Sequence, residues 1–258
     1  MVVSRKFGVS KEVTILNAST LQHAKYHIRT EMGLSSSSYS HHEDMPIYGT
    51  GQGSRNSTMI WCFLSSLLFE CYDKQAFPAV YTNPDRTNRQ TWAMVGFVDE
   101  SKGQVNNFDE QDTPASLSTL KEKARTNATA WANLLSASGG ALELSKCSYH
   151  MLVWKFSVQG APVLTNCEPA LRNLPVQDPI TGLEHSMGYL APHSAHKTLG
   201  HYKEPAGTQK QQFEQLQRKS DKVTAFLWTT PLNREESWLF YNACYLPAIT
   251  YPLTCSYF

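Results

Sequence analysis

The residues best suited to chemistry are an adjacent pair of carboxylates, Asp99 and Glu100. They follow an apolar run inside residues 91–105 and precede a turn signal, Ser101-Lys102-Gly103. This order is typical of a β-hairpin that carries carboxylates at its tip. Adjacent carboxylates at the end of a buried strand repel each other unless a cation lies between them, and a divalent metal ion is the usual cation. A solvated acidic loop has the same pattern, so the pair alone leaves both interpretations open.

The charge distribution is uneven around this pair. Residues 1–33 carry five Lys/Arg against two Glu, and residues 193–224 carry six Lys/Arg against three acids, so each segment has a net charge of +3. Residues 95–113 carry five acids against one Lys, a net charge of −4. Basic segments around an acidic centre would suit a phosphate backbone held beside metal ions. Ordinary solvated faces remain the alternative.

Composition limits the class of protein. With 258 residues, of which 41% are hydrophobic, the chain can bury one large core or two modest ones. The six cysteines show no Cys-x-x-Cys spacing, and Cys62 and Cys71 lie in an apolar run, where we expect them to be buried. The longest apolar run, residues 59–64, is too short to span a membrane, and the N-terminus does not resemble a targeting signal. We therefore expect an intracellular protein, cytoplasmic or nuclear, with no membrane partner and no structural zinc.

Helices and strands must position the acidic pair. Apolar periodicity and glycine stops predict helices ending at Gly8, over 57–72 with burial on most sides, and over 116–138 with a stop at Gly139-Gly140. Residues 141–156 alternate as a strand does and lead into a hairpin at Gln159-Gly160. The proline-rich residues 166–192 predict an irregular segment. Two final helices are predicted over about 208–228 and 233–246.

Five segments, in this order, resemble the palm and thumb of a retroelement reverse transcriptase. They are GTGQGS at 49–54, FVDE at 97–100, SGGALELSKCSYH at 138–150, KTLGHY at 197–202 and YNACYLPAITYP at 241–252. The first is similar to the family's Gly-Gln-Gly element and the second to its strand-turn-strand motif with an aspartate pair. The third is similar to the segment carrying a lysine, the fourth to a Leu-Gly turn, and the last to a thumb helix. Each motif alone is weakly specific, and the order and spacing carry the resemblance.

The resemblance implies RNA-directed DNA synthesis by two-metal phosphoryl transfer, with Mg²⁺ or Mn²⁺ as cofactor. The partners would be an RNA template, a DNA primer and deoxynucleotides. By the same resemblance, Asp99 would bind metal with help from Glu100, and Lys146 would lie near the leaving pyrophosphate. An exposed strand lysine is the alternative for Lys146. The remaining implied sites are a nucleotide and template pocket at Gly51, Gln52, Gly53 and Ser54, a primer-positioning turn at Leu199 and Gly200, and backbone contacts from Lys203, Lys210 and Lys219.

The sequence departs from the family pattern in two ways. The family has a further catalytic aspartate upstream of the Gly-Gln-Gly element, whereas no aspartate precedes Asp44 here, and the tip pair is Asp-Glu instead of Asp-Asp. We therefore expect a segment without the fingers and the first aspartate motif, inactive as an isolated chain, so that its status as an enzyme stays open. The alternatives are a nucleic-acid-binding remnant that does not polymerise and a decayed reading frame without a stable fold.

The expected fold is α+β. A small antiparallel sheet built on a 92–107 hairpin would be backed by the 57–72 and 116–138 helices, and a helical, thumb-like subdomain would close the chain. The expected domains are a truncated palm over 1–192 and a primer-grip turn with thumb-like helices over 193–258.

Overall fold

The computed structural model describes residues 2–40, 55–97, 100–107, 116–254 and 256. They form a mixed α+β structure of helices and small, mostly antiparallel sheets, so the predicted α+β class is confirmed. The chain divides into two compact units. Unit 1 comprises Met1–Ser145 and Leu174–Ser186, and unit 2 comprises Lys146–Asn173 and Met187–Phe258. The predicted domains, 1–192 and 193–258, assign palm and thumb roles that packing alone does not test.

The helices begin and end at local sequence signals. Ser10 and Ser116 cap two helices by accepting hydrogen bonds from the backbone N–H of Val13 and Thr119. Gly8 follows the first helix with a φ of 84°, as the predicted stop requires. The described helices are α1 (Val2–Lys6), α2 (Lys11–Gln22), α3 (Arg55–Asp73), α4 (Leu117–Ala137), α5 (Lys210–Thr229), α6 (Arg234–Phe240) and α7 (Leu246–Thr254), with a π-helical turn (Tyr241–Tyr245) between the last two.

The strands are short and pair mostly as hairpins. They are β1 (Lys25–Tyr26), β2 (Arg29–Thr30), β3 (Gly33–Leu34), β4 (Tyr39–Ser40), β5 (Ala79–Thr82), β6 (Arg89–Trp92), β7 (Met94–Phe97), β8 (Glu100–Gly103), β9 (Ser148–His150), β10 (Val153–Phe156), β11 (Pro162–Thr165), β12 (Leu174–Gln177), β13 (Glu184–Leu190), β14 (His196–Thr198) and β15 (His201–Lys203). The antiparallel pairs include β5–β6, β7–β8, β10–β11 and β14–β15. In unit 2, the end of β13 runs parallel to β9.

The core of unit 1 lies between α3 and α4. Leu68 and Tyr72 of α3 pack with Trp131 of α4 and with Ala93. The Trp131 ring lies 5.5 Å from the Tyr72 ring, edge to face. Burial, with the nearby Asp73 carboxylate, raises the pKa of Tyr72 to about 12. The two helices predicted around this hairpin are therefore present and joined by an aromatic cluster.

Two asparagine side chains tie the strands of unit 1 to that core. Asn127 of α4 accepts from the Phe77 N–H at 2.8 Å and donates to the Phe77 carbonyl at 2.8 Å. Asn106 makes the same pair of bonds with Val80 of β5, at 3.2 Å and 2.6 Å. Each side-chain amide therefore satisfies both backbone hydrogen-bonding groups of one residue, as a neighbouring strand would do.

A smaller cluster organises one part of unit 2. The Tyr149 and Tyr189 rings meet edge to face, and the Arg172 guanidinium lies over the Tyr189 ring. Arg172 also donates twice to the carbonyl of Cys167, which is buried. Burial, with Cys167 and Tyr189 nearby, raises the pKa of Tyr149 to about 12. The cluster holds β9 and β13 against the segment that precedes β12.

Three sequence predictions about packing are wrong. Helix α3 is not buried on most sides, since Met59 is 53% exposed and Cys62 is exposed, because the helix turns only its Leu68 and Tyr72 side into the core. Cys71 is only half-buried. Residues 141–156 do not form one strand. They contain a 3₁₀ turn and two strands with different partners, β9 beside β13 and β10 beside β11, so the chain breaks between them.

The proline-rich residues 166–192 are also more regular than predicted. They contain β12 and β13, and the alternating residues Leu174 and Val176 are almost completely buried. Strand β12 packs on α4, which the sequence signal could not reveal because the two segments are far apart in the chain. No helix among the described residues is long and apolar enough to cross a membrane.

Candidate functional site

The acidic hairpin exists, with a different turn. Strands β7 and β8 pair from Met94 with Gly103 to Phe97 with Glu100. The predicted turn Ser101-Lys102-Gly103 is wrong, because these residues belong to β8. The helix α3 approaches this hairpin closely, and a Cβ added at Gly96 would meet the Phe69 ring. The hairpin therefore packs on α3 of the same unit through Gly96, while most of its residues are exposed.

Only part of the predicted metal site falls within the described residues. Glu100 is exposed at the first position of β8, and Asp99 lies outside the described residues. Among those that are described, no group of three His, Cys, Asp or Glu could hold a metal ion. The Glu100 carboxylate has the chemistry of a Mg²⁺ ligand, but one exposed carboxylate does not form a metal site. The predicted pocket residues Gly51, Gln52, Gly53 and Ser54 lie outside the described residues too.

Lys146 lies at the end of the 3₁₀ turn Leu144–Lys146 and is exposed. It begins unit 2, whereas Glu100 belongs to unit 1. Its predicted place beside a leaving pyrophosphate stays a prediction.

The predicted Leu-Gly turn is a tight hairpin. Strands β14 and β15 pair from His196 with Lys203 to Thr198 with His201, which leaves a two-residue loop of Leu199 and Gly200. Both loop residues have positive φ, 50° and 82°. Two successive positive φ values are the geometry of a type I′ turn, whose twist matches that of the strands. Leucine rarely adopts positive φ, so this turn carries backbone strain.

Helix α5 holds this hairpin in place through glutamines. The buried Gln212 accepts from the Tyr202 N–H at 2.8 Å, and Gln211 accepts from the Ala195 N–H at 3.3 Å. Glu204 in turn accepts from the Gln211 N–H at 3.2 Å and from the Thr208 hydroxyl. The first turns of α5 therefore fix both ends of the hairpin.

A cleft of about 160 Å³ lies between the hairpin and α5. Lys197 and Tyr202, opposite each other on β14 and β15, line one side with Gly200. The α5 side supplies residues spaced three or four apart, Gln212, Gln215, Leu216 and Lys219. The lining thus has two ammonium groups, amide and phenol groups, and no acidic residue. Such a lining suits an anion carried on a partly apolar ligand.

The hairpin face opposite the cleft carries a buried histidine. His201 is 2% exposed, and its Nε2 lies 3.1 Å from the Ser256 hydroxyl, which donates to the Pro252 carbonyl at 2.7 Å. Since the Ser256 hydroxyl donates its proton to Pro252, Nε2 of His201 donates to the Ser256 oxygen. In the neutral ring Nδ1 is then an acceptor, and it is buried without a partner among the described residues. Burial, with the charge of Lys203, lowers the pKa of His201.

The lysines that line the cleft differ from those predicted to contact a phosphate backbone. Of the three lysines predicted to face a phosphate backbone, only Lys219 lines it, while Lys203 lies on the His201 side of β15 and Lys210 begins α5. Sequence reasoning missed Lys197, Tyr202 and Gln212. Their signal was the alternation along the two strands and the helical spacing from 212 to 219.

No protein-family model, no curated protein and no solved structure matches this chain. The reverse-transcriptase resemblance therefore rests on the five motifs alone.

Proposed function

We propose that the chain is a palm and thumb segment of a retroelement reverse transcriptase that binds nucleic acid through the β14–β15 cleft. The observation that carries this is the tight Leu199-Gly200 hairpin seated on a basic helix, with Lys197 and Lys219 lining the cleft between them. A pair of ammonium groups with no neighbouring acid in the lining would contact a phosphate backbone irrespective of base sequence.

The catalytic part of the proposal concerns Asp99 and Glu100. The β7–β8 hairpin carries Glu100 at its end, and Asp99 precedes Glu100 in the sequence. These carboxylates would contribute to a Mg²⁺ or Mn²⁺ site that serves an RNA template, a DNA primer and deoxynucleotides. A chain of these 258 residues, which has no aspartate before Asp44, is proposed to bind primer and template without extending the primer.

Primer extension on an RNA template tests the catalytic part. The chain is compared with Asp99→Ala, with Mg²⁺ or Mn²⁺ supplied. Glu122→Ala is the control, because Glu122 is an exposed α4 carboxylate paired only at the surface with Arg125. No extension by any chain is expected. Extension that only Asp99→Ala abolishes would contradict the proposed inactivity and support the role of Asp99.

Equilibrium binding to a labelled duplex, measured against salt concentration, tests the cleft. Lys197→Ala with Lys219→Ala should weaken binding and reduce the slope of log K against log salt by about two. Lys222→Ala with Arg234→Ala is the matched control, since it removes the same charge from exposed positions of unit 2 outside the cleft lining. Equal losses in both double variants would show diffuse attraction, and the cleft would then not be the binding site.

A further inference from the structure

The cleft between the β14–β15 hairpin and α5 is lined by one glutamine that is almost completely buried. Gln212 is 2% exposed, and its Oε1 accepts a hydrogen bond from the Tyr202 N–H at 2.8 Å. Since a backbone N–H can only donate, this bond fixes which end of the amide is the oxygen. The Nε2 end is therefore a donor, and it has no hydrogen-bond partner among the described residues. Gln212 lines the cleft, so a ligand there would meet this donor.

The other polar groups of the cleft lining can donate as well. Lys197 and Lys219 carry ammonium groups, and Lys219 uses one of its three N–H groups on the Ala248 carbonyl at 3.4 Å. Tyr202 supplies a phenol group and Gln215 a second amide. Two cations with several neutral donors match a ligand that has negative charge and several acceptor oxygens.

The carboxylates of this region lie outside the cleft lining. Residues 193–224 contain three acids, Glu204, Glu214 and Asp221. Both oxygens of Glu204 already accept hydrogen bonds at the start of α5. At about 100° per residue, Glu214 and Asp221 lie roughly opposite the lining face of that helix. None of the three carboxylates therefore occupies the cleft beside the two lysines.

The size of the cleft limits what it can hold. At about 160 Å³ it is smaller than the pockets of roughly 300–1,000 Å³ that enclose a drug-sized ligand. A nucleoside together with its phosphate is too large for this volume, whereas a phosphate group alone is small enough. The cleft should therefore contact a phosphate and leave the base outside.

A phosphate at the end of a strand fits this lining better than one inside a strand. An internal phosphodiester has one negative charge, and the strand leaves it on both sides. A terminal phosphate carries about 1.5 to 2 negative charges at pH 7, presents three acceptor oxygens and is attached on one side only. Two ammonium groups and a fixed amide donor match that charge and those oxygens.

We propose that the cleft binds a terminal phosphate of a nucleic-acid strand, and that Gln212 is a residue that selects it. The inference rests on the proposed function, since it requires nucleic acid to bind at this cleft. It adds which phosphate is bound and which neutral side chain recognises it.

The test is equilibrium binding of two internally labelled duplexes of one sequence, with either phosphate or hydroxyl groups at all strand ends. The wild-type chain should bind the phosphorylated duplex about 10- to 100-fold more tightly, the gain that a hydrogen bond to a charged group gives. Gln212→Glu should bring this ratio close to one. Its carboxylate can still accept from the Tyr202 N–H, while its second oxygen replaces the donor. Each chain is compared with itself on two ligands, so partial unfolding cancels from the ratio.

Gln217→Glu is the matched control, because it makes the same change at an exposed position of α5 outside the lining. It should keep the wild-type ratio. Tyr202→Phe removes only a hydroxyl from the lining and should lower the ratio, which gives a second result if the buried carboxylate prevents folding. Equal affinity of the wild-type chain for the two duplexes would overturn the proposal, as would a ratio that both lining variants leave unchanged.

Two further results separate this inference from its neighbours. Inorganic phosphate at the concentration of the duplex should not displace it, and displacement would show a site for free phosphate instead of a strand end. If the proposed function fails, Lys197→Ala with Lys219→Ala will leave the binding of both duplexes unchanged. If that double variant weakens both duplexes while their wild-type affinities are equal, the proposed function holds and the terminal-phosphate inference is wrong.

Discussion

At the scale of single residues, Asn127 connects α4 to the segment before β5. Its buried amide bonds both backbone groups of Phe77, across fifty residues of chain. Asn127→Leu would remove both hydrogen bonds to the Phe77 backbone. Because a typical hydrogen bond contributes about 0.5–1.5 kcal/mol, we expect the free energy of unfolding to fall by about 1–3 kcal/mol. Urea unfolding followed by circular dichroism measures this loss.

Asn133→Leu is the matched control, because Asn133 is an exposed asparagine of the same helix. It should change the free energy of unfolding by less than about 0.5 kcal/mol. If both variants lose the same amount, the loss comes from replacing asparagine with leucine on this helix in general and not from the bonds to Phe77. The sequence predicted α4 from its apolar periodicity and its glycine stop. It gave no sign of Asn127, because its partner is distant in the chain.

His201 makes a prediction about pH. Its pKa is lowered from the ordinary value of 6.5, so the neutral form is favoured in the folded chain. At pH well above 6.5 the histidine is neutral in both states, and its contribution to stability is complete. As the pH falls below that value, the unfolded chain binds a proton first, so this contribution is lost. Wild type should therefore lose more stability between about pH 7.5 and pH 5 than His201→Gln does.

Thermal unfolding at several pH values measures the difference. Glutamine keeps a donor for the Ser256 hydroxyl and removes the titration. His193→Gln, which changes an exposed histidine of the same unit, is the control and should follow the wild-type curve. Parallel curves for wild type and His201→Gln would show that His201 does not titrate differently on unfolding.

At the scale of elements, the Leu199-Gly200 turn should respond to residues that tolerate positive φ. Gly200→Ala places a side chain at a φ of 82° and should cost about 1–2 kcal/mol. Leu199→Asn puts a tolerant residue at a φ of 50° and creates the Asn-Gly pair typical of this turn. We expect its unfolding midpoint to rise by about 2–4 °C, as a gain of 1 kcal/mol gives in a protein of this size.

The control is Gly182→Asn, because Gly182 also has positive φ, 72°, in a turn with open space around its Cα. It should change the midpoint little, since asparagine tolerates that conformation. A lower midpoint for Leu199→Asn would mean that the half-exposed leucine contributes more through contacts than it costs through strain.

Elements with local signals were predicted well, and elements defined by distant partners were not. Ser116 and Gly139 mark the ends of α4, and Gly160 marks the loop of β10–β11, because caps and turns depend on a few adjacent residues. Strand β12 was missed, because Leu174 becomes a core residue only against a helix about forty residues earlier. The same reason explains the cleft, whose Lys197 and Lys219 meet only when the hairpin docks on α5.

At the scale of the whole molecule, the described chain exposes more large hydrophobic side chains than it buries. Burial of apolar area is the main favourable contribution to folding, so we expect a modest free energy of unfolding. Any ligand that binds only the folded form adds to it, by about 2.7 kcal/mol at a concentration one hundred times its dissociation constant. The nucleic acid proposed as ligand should therefore add measurably to the stability of the folded chain.

Calorimetry with and without a nucleic-acid duplex tests this expectation. Heating should give a cooperative transition that shifts upward with duplex concentration, because binding is linked to folding. The shift should shrink in Lys197→Ala with Lys219→Ala, whereas Lys222→Ala with Arg234→Ala should keep it in full. A cooperative transition that no nucleic acid moves would argue against the proposed binding site. A gradual change without a transition would favour the decayed reading frame, because a chain without a unique fold has no cooperative core to lose.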